Sequence, residues 1–200
     1  LHSHTHSFPT RRSSDLSQAL TLKPEHISAY SLMYEEGTAL GRMLEQGKVK
    51  EIDEELSLEM YNVLIDTLSA NGYDHYEISN FARIAADGTS FRSRHNSSYW
   101  HDIPYLGIGA SAHSYNKATR SWNVDNIKKY IEAISNGILP SESEIIDSDT
   151  HYDDLITTAL RTKEGININE LEEKYRHHLL TEAQRHIAQG LLTLTDNRLS

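Results

Sequence analysis

The sequence contains no cysteine among its 200 residues. This absence excludes disulfide bonds, thiolate metal sites and any iron–sulfur cluster whose ligands would be cysteines of this chain. Long apolar runs are also missing: no stretch of about 18 consecutive apolar residues occurs, so a membrane-spanning helix is not expected. The first residues lack the apolar centre of a signal peptide. A cytoplasmic location is therefore the default expectation.

Basic residues are scarce relative to acidic ones, with 19 Lys and Arg against 29 Asp and Glu and a formal net charge of -10. Nucleic acid is not an expected partner, because a surface that binds it needs clustered Lys and Arg to displace counterions. The same deficit argues against a polybasic contact with anionic lipid, and leaves only a peripheral membrane contact open. With 38% hydrophobic and 24% charged residues, the composition is that of a globular protein with a buried core.

The first 15 residues differ in character from the rest of the chain, because they are polar and show no apolar periodicity. Ser7 to Leu16 can be encoded continuously by a common short-read sequencing adapter, so a non-native origin is the preferred interpretation. The alternation of His2, His4 and His6 is typical of short metal-binding tracts, and a disordered tail is the third interpretation. Residues 1–15 are therefore left out of the fold prediction.

Residues 16–115 alternate between helical and extended patterns. The apolar spacing after Leu16 predicts the end of a helix before Pro24, and residues 26–33 and 73–79 predict strands. Between these strands, residues 53–70 combine helical apolar spacing with acidic residues in the first turn, which predicts a helix. Residues 40–50 and 82–93 predict irregular segments. Strand, helix and strand in this order favour a parallel α/β architecture, whose functional groups collect at the carboxyl ends of strands.

Beyond Tyr115 the pattern predicts helices without strands until the last residues. The predicted helices cover residues 124–135, 149–161, 169–175 and 181–189. Leu191 to Thr195 then predicts a strand, followed by an Asp-Asn turn and the start of a second strand. Helices followed by such a hairpin are typical of a winged-helix module.

The segment RHNSSYWHDIPYLGIGASAHSY, residues 94–115, has the composition of a binding site. If its beginning is one helical turn, His95 and Tyr99 share a face, as do Asn96 and Trp100, because residues four apart are neighbours. The ring nitrogen of His95 could then ligate a haem iron while the aromatic rings lie along the macrocycle. The alternative is a packed and hydrogen-bonded structural histidine.

Two further groups are candidate ligand contacts. Gly107 and Gly109 would let the backbone approach a ligand closely, although a tight internal strand explains them equally well. The third glycine of a dinucleotide-binding turn is missing, which excludes that interpretation. Glu77, with Ser79 and Asn80, stands at a predicted strand end and could contact a polar ligand, or Glu77 could pair with an arginine.

Four segments carry a resemblance to a known family: HISAYSLMYEEGT, GYDHYEISNFA, SRHNSSYWHDIPYLGIGASAHSY and NIKKYIEAI. Together they resemble the HemW family of radical SAM proteins, which are haem chaperones long labelled oxygen-independent coproporphyrinogen III oxidase-like. The resemblance covers nearly everything from Leu16 onward, and HNSSYW fits the H-N-x-x-Y-W signature at every fixed position. It implies that His95 binds the haem iron and that Asn96, Tyr99 and Trp100 complete the signature.

The resemblance also implies a domain arrangement and a set of cofactors. Residues 16–115 would form the second half of a partial (β/α) radical SAM barrel, and residues 116–200 a mainly helical, winged-helix-like domain, both from a C-terminal fragment. Haem is the expected ligand, and a recipient haem protein is the expected partner, with respiratory haem proteins as one class of recipient. The [4Fe-4S] cluster and S-adenosylmethionine of the family are not expected here, because the cluster cysteines are absent. Radical chemistry is therefore not expected of this chain.

Two alternatives to the haem chaperone stay open at the level of sequence. One is an oxygen-independent coproporphyrinogen III oxidase-like enzyme of porphyrin biosynthesis. The other is a winged-helix binding module formed by residues 141–200.

Overall fold

The computed structural model describes residues 8–200, with side-chain burial described from Asp15 onward. Residues 1–7 of the segment interpreted as a tail lie outside the described residues. The rest of that segment belongs to the first helix, which begins at Phe8. The chain divides into two compact units between Ser93 and Arg94. The sequence placed a boundary after Tyr115 instead, but the strand that ends there pairs with the strand that follows it.

The first unit alternates helices with short strands. The helix predicted over residues 53–70 and the strand predicted over residues 73–79 are confirmed, each within a residue or two of its expected bounds. The strand predicted over residues 26–33 is shorter, and a helix and a strand occupy parts of the segments predicted as irregular. In chain order the elements are α1 (Phe8–Thr21), β1 (His26–Ser28), α2 (Ala39–Glu45), α3 (Glu54–Ala70), β2 (Tyr73–Glu77) and β3 (Asn80–Arg83).

The sheet of the first unit has the strand order β1-β3-β2, and both described pairings are antiparallel. The expected parallel pairing is therefore wrong for these strands. Only Ile78 and Ser79 connect β2 to β3, and a connection this short can join antiparallel neighbours alone, because a parallel crossover needs about a dozen residues. β1 and β2 still run in the same direction, as the strand–helix–strand order predicts, but β3 lies between them.

The core of the first unit lies between the helices and one face of this sheet. Leu68 and Phe81 are fully buried at its centre. α3 begins at its N-cap Asp53, whose Oδ1 atom accepts the backbone N–H of Leu56 at 2.9 Å. The buried residues that form this core are Leu16, Leu64, Leu68, Tyr73 and Phe81.

The second unit begins with a short helix and continues with two small sheets and three longer helices. Its elements are α4 (Arg94–Trp100), β4 (His113–Tyr115), β5 (Thr119–Asn123), α5 (Ile127–Ser135), β6 (Ser141–Ile145), α6 (Ser148–Ala159), β7 (Ile166–Asn167), α7 (Glu173–Ala188), β8 (Leu194–Thr195) and β9 (Arg198–Leu199).

The expectation of helices without strands beyond Tyr115 is wrong. β4, β5 and β6 form an antiparallel sheet in that order, and β5 pairs with β6 over residues Thr119–Asn123 and Ser141–Ile145. All five residues of β6 are exposed. A strand exposed in this way has no need of the alternation of apolar and polar residues by which strands are recognised.

The last part of the second unit has its own core, formed by Ile166, Ile168, Leu179, Ala183 and Leu199. The predicted turn at Asp196 and Asn197 is confirmed: both residues have positive φ, 51° and 62°, as a two-residue hairpin turn between β8 and β9 requires. The two helices predicted over residues 169–175 and 181–189 merge into one helix, α7, from Glu173 onward, because no Gly or Pro separates them, and a short 3-10 helix, Ile168–Glu170, precedes it.

Among residues 8–200, no helix is long and apolar enough to cross a membrane.

Candidate functional site

The H-N-x-x-Y-W segment forms α4, a helix of 7 residues, so the predicted sharing of a face by His95 and Tyr99 is confirmed. The Tyr99 hydroxyl lies 3.2 Å from Nε2 of His95, and the two rings meet edge to face with centroids 5.1 Å apart. Both side chains are exposed, Tyr99 to 39%. The imidazole is therefore accessible from solvent while a neighbouring phenol occupies one of its nitrogens.

Asn96 and Trp100 lie one position further along the helix and are only partly exposed. The guanidinium carbon of Arg161 lies 5.3 Å from the centre of the Trp100 ring, which is a cation–π contact. The indole Nε1 atom is buried and has no hydrogen-bond partner within the described residues. Trp100 thus packs against the rest of the second unit. His95 and Tyr99 are the signature residues that a ligand can reach.

A row of aromatic rings continues from Tyr99. Tyr105 meets Tyr99 edge to face at a centroid distance of 4.8 Å, and Tyr115 lies 5.9 Å beyond Tyr105. Tyr105 and Tyr115 also exchange two backbone hydrogen bonds of 2.9 Å each, so their backbones lie side by side. Within the described residues, the buried Tyr115 hydroxyl donates a short hydrogen bond to Asp102 Oδ1.

Asp102 collects three donors on one carboxylate. Besides Tyr115, its Oδ2 atom lies 2.9 Å from Nζ of Lys117 and 3.3 Å from Nε2 of His151 on α6. Burial alone would raise the pKa of Asp102, but these hydrogen bonds and the charge of Lys117 outweigh burial and hold that pKa below its ordinary value. Burial and the hydrogen bond to Asp102 raise the pKa of Tyr115 far above its ordinary value, so Tyr115 keeps its proton.

No sequence pattern pointed to the Asp102 carboxylate. Asp102 and His151 are 49 positions apart in the chain, a contact that no local pattern encodes. The available signal was the short segment His101-Asp102-Ile103-Pro104, because an aspartate shortly before a proline is typical of a turn. Asp102 indeed has a positive φ of 54°.

Gly107 and Gly109 are explained by the backbone around them. A Cβ atom on Gly107 would lie 2.1 Å from the carbonyl oxygen of His113, and Gly109 has a φ of 113°, which side-chain-bearing residues rarely adopt. The N–H of Gly107 donates to Ser114 Oγ at 2.9 Å and that of Gly109 to Tyr130 Oη at 3.2 Å. Neither N–H points freely at a ligand, so the role proposed for these glycines has no support from their geometry.

Exposed apolar side chains follow α4 in the same unit. Ile103, Leu106 and Ile108 are 47%, 80% and 84% exposed. These side chains follow the accessible His95 in the chain, and exposed apolar side chains are the kind of surface that a flat apolar macrocycle contacts.

Glu77, Ser79 and Asn80 lie in the first unit. A bulge in β2 between His75 and Glu77 shifts the register, so that Glu77 pairs with Asn80. Both side chains are almost fully buried, at 3% and 2% exposure. Glu77 Oε1 accepts the N–H of Ser79 at 3.2 Å, and Ser28 donates to Asn80 Oδ1 at 2.5 Å.

The arginine pairing considered for Glu77 is not made by Arg83, which lies 3.7 Å from Glu25 instead. The charge of Glu77 acts on its neighbours. Burial lowers the pKa of the His26 imidazole and the Glu77 carboxylate opposes this shift in part, while Nε2 of His26 lies 2.9 Å from the Tyr76 hydroxyl. The sheet thus brings Glu77, Ser79 and Asn80 together. Because Glu77 and Asn80 are buried, the three residues form a polar cluster and not an open site.

Within residues 8–200, no three His, Cys, Asp or Glu side chains are grouped so that they could hold a metal ion. The chain also has no cysteine. Its residues therefore do not fit an iron–sulfur cluster. An axial ligand for haem iron needs a single imidazole, which His95 offers.

No family model matches this chain, but curated relatives do. It is 32% identical to the haem chaperone HemW of Bacillus subtilis over 165 residues, which cover 82% of this chain and 42% of that protein. It is 31% identical to HemW of Mycobacterium tuberculosis over 176 residues, covering 88% and 43%. The mitochondrial radical S-adenosyl methionine domain-containing protein 1 of Bos taurus is 42% identical over 89 residues, covering 44% and 19%. The chain spans less than half the length of these relatives.

One solved structure shares the fold. Coproporphyrinogen III oxidase (HemN) from Escherichia coli, a radical SAM enzyme, superposes with a TM-score of 0.69 at 15% identity, covering 96% of this chain and 47% of that one. At this identity the likeness shows a common mixed α/β fold and nothing about activity.

Proposed function

Because this chain belongs to the HemW family of radical SAM proteins, we propose that it carries the haem-binding segment of a haem chaperone, with His95 as the ligand of the iron. The observation that carries the proposal is the exposed His95 imidazole, set beside the Tyr99 ring on a helix with the complete H-N-x-x-Y-W signature. In this proposal the chain accepts haem and passes it to a recipient haem protein, with a respiratory haem protein as one class of recipient.

Each residue of the site has a separate task. His95 supplies an imidazole nitrogen, and the exposed Ile103, Leu106 and Ile108 supply apolar contact. Trp100 and Arg161 fix α4 to the rest of the second unit. Haem, when bound, would supply the iron that the His95 imidazole would hold. An exposed ligand with few surrounding contacts suits a cargo that must leave again.

Haem is the cofactor that we propose for this chain by itself. The family uses a [4Fe-4S] cluster and S-adenosylmethionine as well, but a chain without cysteine cannot ligate the cluster. Glu77, Ser79 and Asn80 are then proposed to line the polar face of a barrel and not a haem site, because they lie in the first unit, in a buried cluster.

The finer architecture that we propose is the second half of a radical SAM barrel followed by a winged-helix-like domain. The common direction of β1 and β2 supports the barrel assignment, since barrel strands share one direction. The core of α6 and α7 with the β7-β9-β8 sheet supports the winged-helix assignment. A nucleic-acid-binding role for that domain finds no support in an acidic chain.

The test is a haem titration of the wild type, His95→Ala and His101→Ala, followed by absorbance. His101 is a suitable control, because it is an exposed histidine that immediately follows α4. We expect His95→Ala to lose at least about tenfold in affinity, as the loss of an axial ligand implies, and His101→Ala to bind like the wild type. Equal binding by wild type and His95→Ala would refute the proposal.

The coproporphyrinogen oxidase alternative makes a different prediction. A decarboxylation assay of the complete gene product with coproporphyrinogen III and S-adenosylmethionine would detect such an activity, and we expect none. Turnover in that assay would favour the oxidase over the chaperone.

A further inference from the structure

The hydroxyl of Tyr99 occupies one of the two nitrogens of His95, Nε2, at 3.2 Å. We infer that Tyr99 competes with haem iron for this nitrogen and thereby weakens haem binding to a level that permits release. The inference deepens the proposed function and rests on it. It assigns to the tyrosine of the H-N-x-x-Y-W segment a task distinct from packing against the macrocycle.

Nε2 is the nitrogen that a macrocycle can reach. Nε2 lies at the end of the ring that is farther from the backbone. Nδ1 is bonded to Cγ, the ring atom attached to Cβ, and therefore lies closer to the helix backbone. A wide, flat porphyrin that approached Nδ1 would meet α4 first. The nitrogen best placed for iron is therefore the one that Tyr99 already contacts.

The contact has a preferred direction. A neutral imidazole has one N–H and one bare nitrogen, and a phenol O–H is a good donor to the bare nitrogen. The tautomer with the proton on Nδ1 lets the Tyr99 O–H donate to Nε2. In that arrangement the lone pair needed for iron coordination is already used, so haem must displace the hydroxyl.

The Tyr99 ring also contacts a second aromatic residue. Tyr105 lies edge to face against it at 4.8 Å, and Tyr105 is tied to Tyr115 by two backbone hydrogen bonds. Tyr115 is anchored in turn on Asp102, which Lys117 and His151 hold. Tyr99 therefore has a ring neighbour on the side away from His95, and that neighbour belongs to a hydrogen-bonded part of the second unit.

Competition between the Tyr99 hydroxyl and haem iron for the His95 nitrogen suits a protein that must release haem again. Among residues 15–200, whose side chains the structure describes, His95 is the one hydrogen-bond partner of the Tyr99 hydroxyl, so removal of the hydroxyl acts on this contact. When haem leaves, the returning hydroxyl satisfies the nitrogen that the iron gives up. The cost of exposing that nitrogen is lowered, and release becomes easier.

The experiment compares haem binding by the wild-type chain, Tyr99→Phe, His95→Ala, the double variant and Tyr105→Phe. Tyr105→Phe is the matched control, because it removes a hydroxyl from the same row but keeps the ring that positions Tyr99. We expect Tyr99→Phe to bind haem about three- to tenfold tighter, which is the range of one net hydrogen bond. Tyr105→Phe should match the wild type, and the double variant should match His95→Ala.

The outcomes separate the inference from the proposed function. If His95→Ala loses haem while Tyr99→Phe binds with equal or lower affinity than the wild type, the competition is overturned and the haem site stands. If His95→Ala binds like the wild type, the haem site itself falls. A tightening by Tyr99→Phe that persists in the double variant would also overturn the inference, because the effect would then not pass through His95.

The contact can be observed without haem. In long-range ¹H–¹⁵N spectra of the imidazole nitrogens, the wild type should carry a proton on Nδ1 of His95 and none on Nε2. Tyr99→Phe should shift the proton toward Nε2. Identical spectra for the two proteins would mean that Tyr99 does not donate to His95, and the inference would be overturned before any haem is added.

Discussion

His26 couples the stability of the first unit to pH. Burial lowers the pKa of its imidazole below the ordinary 6.5, while the Glu77 carboxylate opposes this shift in part. Between the lowered value and 6.5 the unfolded chain binds more protons than the folded chain. The contribution of His26 is therefore fully present above the unfolded pKa and is lost as the pH falls through the folded pKa.

Replacement of His26 by Gln should remove this part of the acid sensitivity. We expect the free energy of unfolding to fall less between about pH 7.5 and pH 5.5 in His26→Gln than in the wild type, measured by urea unfolding with far-UV circular dichroism. His177→Gln, a change at an exposed histidine of α7, is the control and should keep the wild-type slope. The same slope in all three proteins would contradict the assignment.

At the scale of single residues, the sequence was informative about His95 and uninformative about what surrounds it. The i, i+4 spacing of His95 and Tyr99 places both on one face of any helix, and the structure has that helix. Asp102 and its partner His151 could not be found, because their contact depends on how α6 packs, which is a tertiary property. Glu77 could be named but not placed, because the bulge that buries it is not visible in the sequence.

Among the elements, the stability of α3 depends on its N-cap residue, Asp53. Asp53 caps the helix through a 2.9 Å hydrogen bond to the N–H of Leu56, and the buried Leu64 and Leu68 of the same helix form part of the first core. Asp53→Ala should lower the free energy of unfolding by about 1 kcal/mol, which is the usual effect of a lost cap. Asp66→Ala makes the same chemical change at an exposed position within α3 and should have little effect in the same urea experiment. Equal losses in both variants would show that the cap is not the cause.

The elements also show why the secondary structure was only partly predictable. α3 has all three signals that define a helix in sequence: apolar spacing, an acidic first turn and an Asn-Gly end. β6 is exposed along its whole length and pairs with β5 through backbone hydrogen bonds. Because β6 has no apolar face packed on a core, its sequence lacks the alternation of apolar and polar residues that predicts a strand.

The whole chain lacks the ligands of the family's cluster. Anaerobic reconstitution with iron and sulfide should leave no stoichiometric, stably held [4Fe-4S] cluster, because no cysteine is present to bind it. Iron and sulfide analysis after desalting, with the visible absorbance of the cluster, measures this directly. A retained cluster with four irons per chain would contradict the expectation and would require ligands other than cysteine.

The central claim, that His95 binds haem iron, is tested most directly by the iron–histidine stretching band in the resonance Raman spectrum of the ferrous haem complex. The wild type should show the band. His95→Gly should lose it, and added imidazole should restore it by occupying the space that the side chain leaves. A band that persists unchanged in His95→Gly without imidazole would contradict the account, because another residue would then be the ligand.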